Sequence, residues 1–264
     1  MQINRICIFH FKIHISFIRI RQNITIKERV DLFMYEKLLW TNPNIQYVFH
    51  SNIVEYDMKA MSVSISERYN LLDSETIALL KLMPKEERTR KVGLLQRDDK
   101  NYSNRLIECE LETRRKFLEV NNIQEDDVLS LHSDACIFKS TKEIINNIEG
   151  VEFKHANTWS AYMNYRGIEM FYDNGVIDYK GIPKQMLLQH TLGVHSYLLR
   201  VFDKVENYDT DILDFLAKFE ARYLQYRLPD QYYLPFGKMG EYQMSNLSLF
   251  GFVAKVVLSE MRGW

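Results

Sequence analysis

The chain has 264 residues, of which 46% are hydrophobic, 26% charged and 13% aromatic, with 10 Gly and 5 Pro. That composition supports a sizeable buried core and excludes disordered, collagen-like and low-complexity chains. The formal net charge is −1, divided as +4 over residues 1–52, −4 over 53–150 and −1 over 151–264, which excludes nucleic-acid binding by bulk charge and leaves only a local groove for it.

Residues 5–21 alternate apolar and polar side chains, a strand signal, with His10 and His14 on the polar face. No carboxylate or third histidine is spaced to join them as a metal site, so they read as solvated. The same segment is equally readable as translated upstream sequence ahead of a start at Met34. Its apolar run is interrupted by Lys12, Arg19 and Arg21, a poor secretory signal. From Val54 a short apolar run ends in the single acid Asp57 and passes into a polar, then helical stretch.

Asp73-Ser-Glu-Thr is a helix start with acid in the first turn, and Pro84 closes that helix. A second helix carrying Arg88, Arg90 and Lys91 runs to Gln96, and a third covers 102–121. Val128–Phe138 reads as a β-hairpin with His132, Ser133 and Asp134 at its turn. The stretch 151–183 is rich in aromatics, with turn signals at Asn174-Gly175 and Gly181-Ile-Pro. Helical patterns follow over 184–206 and 209–226, the latter with Asp209 as cap.

The three cysteines, Cys7, Cys109 and Cys136, are odd in number and far apart, so neither a disulfide framework nor a CxxC zinc pattern exists and a reducing, cytoplasmic setting is expected. The apolar stretch Leu247–Leu258 is too short for a membrane span and carries Lys255.

Two isolated acids, Asp57 and Asp134, each stand at the end or turn of an apolar strand, separated by a largely helical interval. If the strands are neighbours, both carboxylates meet at one sheet edge and can hold divalent ions for in-line phosphoryl displacement, a role that suits Mg²⁺. Arg88 and Lys91, three residues apart on one helical face, are candidates to meet a triphosphate. The alternative for them is a solvated charged face paired with Glu86, Glu87 and Asp98. Trp159, Tyr162 and Tyr165 read as core, with base stacking as the alternative, and His190 and His195 as packed or half-exposed. Glu55 and Asp178 are further carboxylates near the candidate site.

The segment from Asp57 to Ile65, DMKAMSVSI, resembles the first palm motif of family B DNA polymerases, DxxSLYPSI. The segment Leu131 to Phe138, LHSDACIF, resembles that family's second catalytic palm motif, YxDTDSIF, and is similar to the His-Asp motif of family A and single-subunit RNA polymerases. YKGIP, with Lys180 and Gly181, resembles the KG element at the palm-to-thumb junction. The resemblance covers roughly residues 50 to 185.

It implies that Asp57 and Asp134 are the catalytic metal ligands for Mg²⁺ or Mn²⁺. It also implies that Ser62 and Ser64 lie at the nucleotide and that Lys180 and Gly181 contact the primer–template backbone. The departures are specific. Asp134 stands alone where the family has two acids, Ala60 replaces its serine, Ser62 its tyrosine and Val63 its proline, and the fingers motif KxxxNSxYG is absent.

The expected architecture is α+β: a polymerase-like palm sheet with a helical fingers insertion and a helical thumb-like C-terminal region. Its expected parts are a strand-rich extension over 1–52, a palm with compact helical fingers over 53–150, and the remaining palm and thumb over 151–264. The expected function is template-directed nucleotidyl transfer by a DNA polymerase or primase-like enzyme of phage or mobile-element type. Its partners would be primer–template, nucleoside triphosphates and other replication proteins, in the host cytoplasm and without a membrane. The alternative is an inactive polymerase-derived palm that binds nucleic acid or serves assembly.

Overall fold

A computed structural model describes residues 36–182, 192–234, 236 and 246–263. The expected N-terminal strand over 5–21, with Cys7, His10 and His14, the alternative start at Met34, and His190 lie outside the described residues.

The fold is α+β with two antiparallel sheets. In chain order the strands are β1 (Leu39–Thr41), β2 (Tyr47–Val48), β3 (Ile53–Met58), β4 (Val128–His132), β5 (Ala135–Lys139), β6 (Asn147–Ile148), β7 (Val151–Trp159), β8 (Ala161–Tyr165), β9 (Ile168–Asp173) and β10 (Val176–Lys180). The first sheet runs β1-β4-β5-β3-β7-β6 and the second β10-β9-β8-β2. Four helices fill the interval between β3 and β4: α1 (Met61–Arg68), α2 (Ser74–Leu82), α3 (Lys85–Asp98) and α4 (Lys100–Val120). Among the described residues three more come after the strands: α5 (Leu192–Glu206), α6 (Ile212–Leu224) and α7 (Asn246–Glu260).

Local chemistry accounts for several of these boundaries. Asp73 caps α2 by accepting the Thr76 N–H at 2.8 Å, and Asp99 caps α4 by accepting the Asn101 and Tyr102 N–H groups. The β9–β10 turn is Asn174-Gly175, with φ of 45° and 81°, the positive values that a two-residue hairpin needs and that Asn-Gly supplies at least strain. The expected cap at Asp209 is corrected by two residues. Helix α6 starts behind Asp211, while the Asp209 carboxylate accepts the Asp211 N–H and binds Lys204 at 2.6 Å.

One further boundary differs from the expectation. Residues 39–48 do not stand apart, since β1 pairs with β4 and β2 with β8, and strands of three and two residues are too short to show a period. The stretch 151–180 is the meander β7–β10, and among the described residues the helical pattern expected over 184–206 is present from Leu192 to Glu206.

The molecule is layered as helices, sheet, sheet, helices. One core lies between the first sheet and α1 and α4, where Phe117 stacks on Phe153 at 4.0 Å and meets Phe138 edge-on. A second lies between the other sheet and α5–α7. A third joins the two sheets through Ile53, Leu129, Ile137, Trp159, Tyr162 and Phe171. Trp159, Tyr162 and Tyr165 are therefore core residues, each 4% exposed or less. Polar bonds also cross between the sheets, as the His132 imidazole meets buried Glu169 at 2.7 Å and Lys180 meets Glu55 at 2.6 Å.

Candidate active site

Strand β3 lies between β5 and β7, with Asp57 opposite Ala135 on one side and Lys154 on the other. Asp134 sits in the two-residue turn joining β4 to β5, so it directly precedes the residue paired with Asp57. The Met58 N–H donates to the Asp134 carbonyl at 2.9 Å, tying the two acid-bearing segments together. The adjacency that the two motifs needed is thus present, through an antiparallel pairing of segments about 75 residues apart in sequence.

Both acids line a cleft of about 540 Å³ between the end of the first sheet, the start of α1 and the flank of α3. Four cations line it as well: Lys59, Lys85, Arg88 and Lys154. Lys154 Nζ lies 3.8 Å from Asp57 Oδ2. Burial pushes the Asp57 carboxyl above the usual carboxylate range, and repulsion from Glu55 and Asp134 adds to it, against the pull of Lys154 and Lys180. A group whose charged form is strained in this way gains when a cation arrives.

Of the other sequence candidates, Arg88 and Ser62 also line the cleft. Lys91 does not. The cleft stripe of α3 is Lys85, Arg88, Thr89, Val92 and Gln96, and at 100° per residue Lys91 points about 120° away from its centre. Lys85 holds the position inside the cleft, one turn earlier. Ser64 is turned to its own helix, donating from Oγ to the Lys59 carbonyl at 2.8 Å. Lys180 is engaged by Glu55, whose other oxygen accepts the Asn157 amide at 2.6 Å. Gly181, with φ of +82°, lies so close to the 167 turn that an added Cβ would stand 2.3 Å from the Gly167 carbonyl oxygen. Asp178 accepts the Trp159 indole N–H, and His195 Nδ1 pairs with the Tyr179 hydroxyl.

Sequence reasoning missed two groups. Lys154 and Lys85 give no signal on their own, although the i, i+3, i+7, i+11 spacing of Lys85, Arg88, Val92 and Gln96 marks one helical face. Glu110 and Arg114 on α4 look like exposed helix charges, yet they are 3% and 0% exposed. Arg114 donates to the carbonyls of Lys37, Leu38 and Ser133, while its Nε has no partner among the described residues. Burial raises the Glu110 carboxyl and lowers the Arg114 guanidinium from their ordinary values. The Cys136 thiol, fully buried on β5, is pushed up to about 12 by burial, which keeps it protonated and inert.

Among the described residues no three His, Cys, Asp or Glu side chains are grouped to hold a metal ion. Asp57 and Asp134 are a two-carboxylate, oxygen-only set. That suits Mg²⁺ or Mn²⁺, which bind through one or two carboxylates and complete their shell with water and substrate phosphate. No described helix is long and apolar enough to cross a membrane.

No curated protein matches the chain. The family model described as Bacteriophage PBS1 gene 130 protein matches residues 30–256, a span that takes in both sheets, the acid-lined cleft and most of α7, so the chain belongs to this phage protein family.

Proposed function

We propose that the cleft is a nucleotidyl-transfer site acting on nucleoside triphosphates and a nucleic-acid end, in the manner of a reduced polymerase palm. The observation that carries this reading is the meeting of Asp57 and Asp134 in one cleft with Lys59, Lys85, Arg88 and Lys154. Such a ring suits a polyanionic substrate that arrives with divalent metal. Even with Lys59 engaged by Glu152, the remaining cations outnumber the two acids and leave positive charge for phosphate. The chain order supports it too: an acid at the end of β3, a helical insertion, then a hairpin that brings the second acid beside the first.

In this reading Asp57 and Asp134 hold the metal. Bound there, Mg²⁺ or Mn²⁺ supplies Lewis-acid activation and charge neutralisation for in-line displacement. Lys85 and Arg88 project from one face of α3 toward the phosphates. Lys154 balances Asp57 before the substrate enters. Ser62, on the first turn of α1, lies where the resemblance puts the sugar, and its small side chain leaves room for a 2′-hydroxyl. Lys180 supports the site from behind through Glu55, and contact with a nucleic-acid backbone would have to draw it from that carboxylate.

The single acid in the second motif favours a second reading, a palm that has kept the cleft for binding and lost the chemistry. Incorporation on a primed template in Mg²⁺ or Mn²⁺ separates the two. In the first reading Asp57→Asn and Asp134→Asn each reduce incorporation by roughly 10²-fold or more with circular dichroism unchanged. Near-normal incorporation by either variant refutes the catalytic assignment. Template binding without incorporation by the wild type supports the second reading.

A further inference from the structure

The β4–β5 turn is held far more tightly than a hairpin requires. Ser133 has φ of 51°, a left-handed conformation that is strained for a residue with a Cβ and that Gly or Asn would adopt more easily. Every polar group of Ser133 is engaged. Its N–H donates to the Leu38 carbonyl at 2.8 Å, its carbonyl accepts Arg114 Nη1 at 2.9 Å, and its Oγ donates to Glu110 Oε1 at 3.0 Å. Arg114 Nη1 also reaches the Leu38 carbonyl at 3.1 Å, so one guanidinium clamps both the turn and the chain entering β1. Glu110 and Arg114 stand one turn apart on α4 and are buried there. Burying two ionisable groups is costly, and a turn alone could be made without them.

The next residue in the turn is Asp134, whose own carbonyl is held by the Met58 N–H. The acid is therefore fixed at the backbone from both sides, and the residue lines the cleft. We infer that Glu110 and Arg114 are positioning residues that act through Ser133 to hold the Asp134 carboxylate beside Asp57 for metal binding. The inference rests on the reading of the cleft as a metal-dependent site. It assigns α4 a role in that site although neither residue lines the cleft.

The test is Mn²⁺ binding by the full chain, read by the electron paramagnetic resonance of free Mn²⁺, with circular dichroism and thermal unfolding as fold controls. Ser133→Ala and Glu110→Ala are expected to weaken Mn²⁺ binding about tenfold while remaining folded, as loss of an outer hydrogen bond to a metal-bearing group does. Glu110→Gln still offers an amide oxygen to the Ser133 hydroxyl and is expected to bind close to wild type. A merely structural pair would change the unfolding temperature and leave the Mn²⁺ affinity of folded protein alone. The inference is overturned if Asp134→Asn loses Mn²⁺ while folded Ser133→Ala and Glu110→Ala bind it normally. Should Glu110→Ala not fold, Ser133→Ala alone decides. If the wild type binds no Mn²⁺, or Asp57→Asn and Asp134→Asn bind it unchanged, the metal-site reading itself falls and the inference with it.

Discussion

Lys180→Ala isolates the ion pair behind the cleft. Lys180 Nζ lies 2.6 Å from Glu55 Oε1, and Glu55 is 5% exposed while the lysine side chain keeps 25% of its surface open. Removing the cation leaves a buried carboxylate with the Asn157 amide as its remaining hydrogen-bond donor among the described residues. Breaking a fully buried pair costs about 3–5 kcal/mol. Water reaches the lysine end of this one, so about 2–3 kcal/mol is the expected loss once screening is allowed for. For a chain of this size that is roughly 5–10 °C in unfolding temperature.

The partner substitution is gentler. Glu55→Gln removes the buried charge and leaves a lysine that can turn toward solvent, so about 1 kcal/mol is expected. The double variant Glu55→Gln/Lys180→Ala should accordingly be more stable than Lys180→Ala alone. Urea unfolding with linear extrapolation measures all three. The reasoning is refuted if Lys180→Ala falls within about 0.5 kcal/mol of wild type, the range of ordinary surface substitutions, or if the double variant is no better than the single.

Two further outcomes are expected in the same region. Asp57→Asn should raise stability near neutral pH. The folded carboxyl holds its proton more tightly than the unfolded one, so its ionised form destabilises the fold above the folded pKa, and the gain should vanish as the pH falls below the unfolded value of 3.8. An unfolding temperature that is lower for the variant at pH 7, or a gain that grows in acid, would contradict the burial and repulsion described at Asp57. Gly181→Ala should destabilise by more than about 1 kcal/mol, because the positive φ and the Gly167 carbonyl both oppose a Cβ, and a neutral result in thermal unfolding would mean that this close approach is absent.

Much of the fold was legible in the chain because the signals were local. Asp73 precedes its helix, Asn174-Gly175 marks its hairpin, and Asp57 and Asp134 stand out as lone acids at the ends of apolar runs. Short strands were not legible, since β1 and β2 owe their conformation to distant partners, Leu39 to His132 and Tyr47 to Met163. The spacing of Arg88 and Lys91 correctly placed them on a helix, yet only packing against α2 and α4, with Val92 buried beside Val63, Ile77 and Leu80, chose the face that carries Lys85 toward the acids.

Where the helices and hairpins form, and that two carboxylates terminate neighbouring kinds of strand, could be read from the chain unaided, because caps, turns and hydrophobic periods act over a few residues. Which charges are buried, and with whom, emerged from packing. Lys180 finds Glu55 across 125 positions of chain, and Glu110 and Arg114 leave an apparently solvated helix face to grip Ser133. The physical reason is that a charged side chain looks the same in sequence whether it meets water or a partner. Desolvation and pairing are properties of the assembled layers, in which distant strands and helices exclude water from the same few atoms.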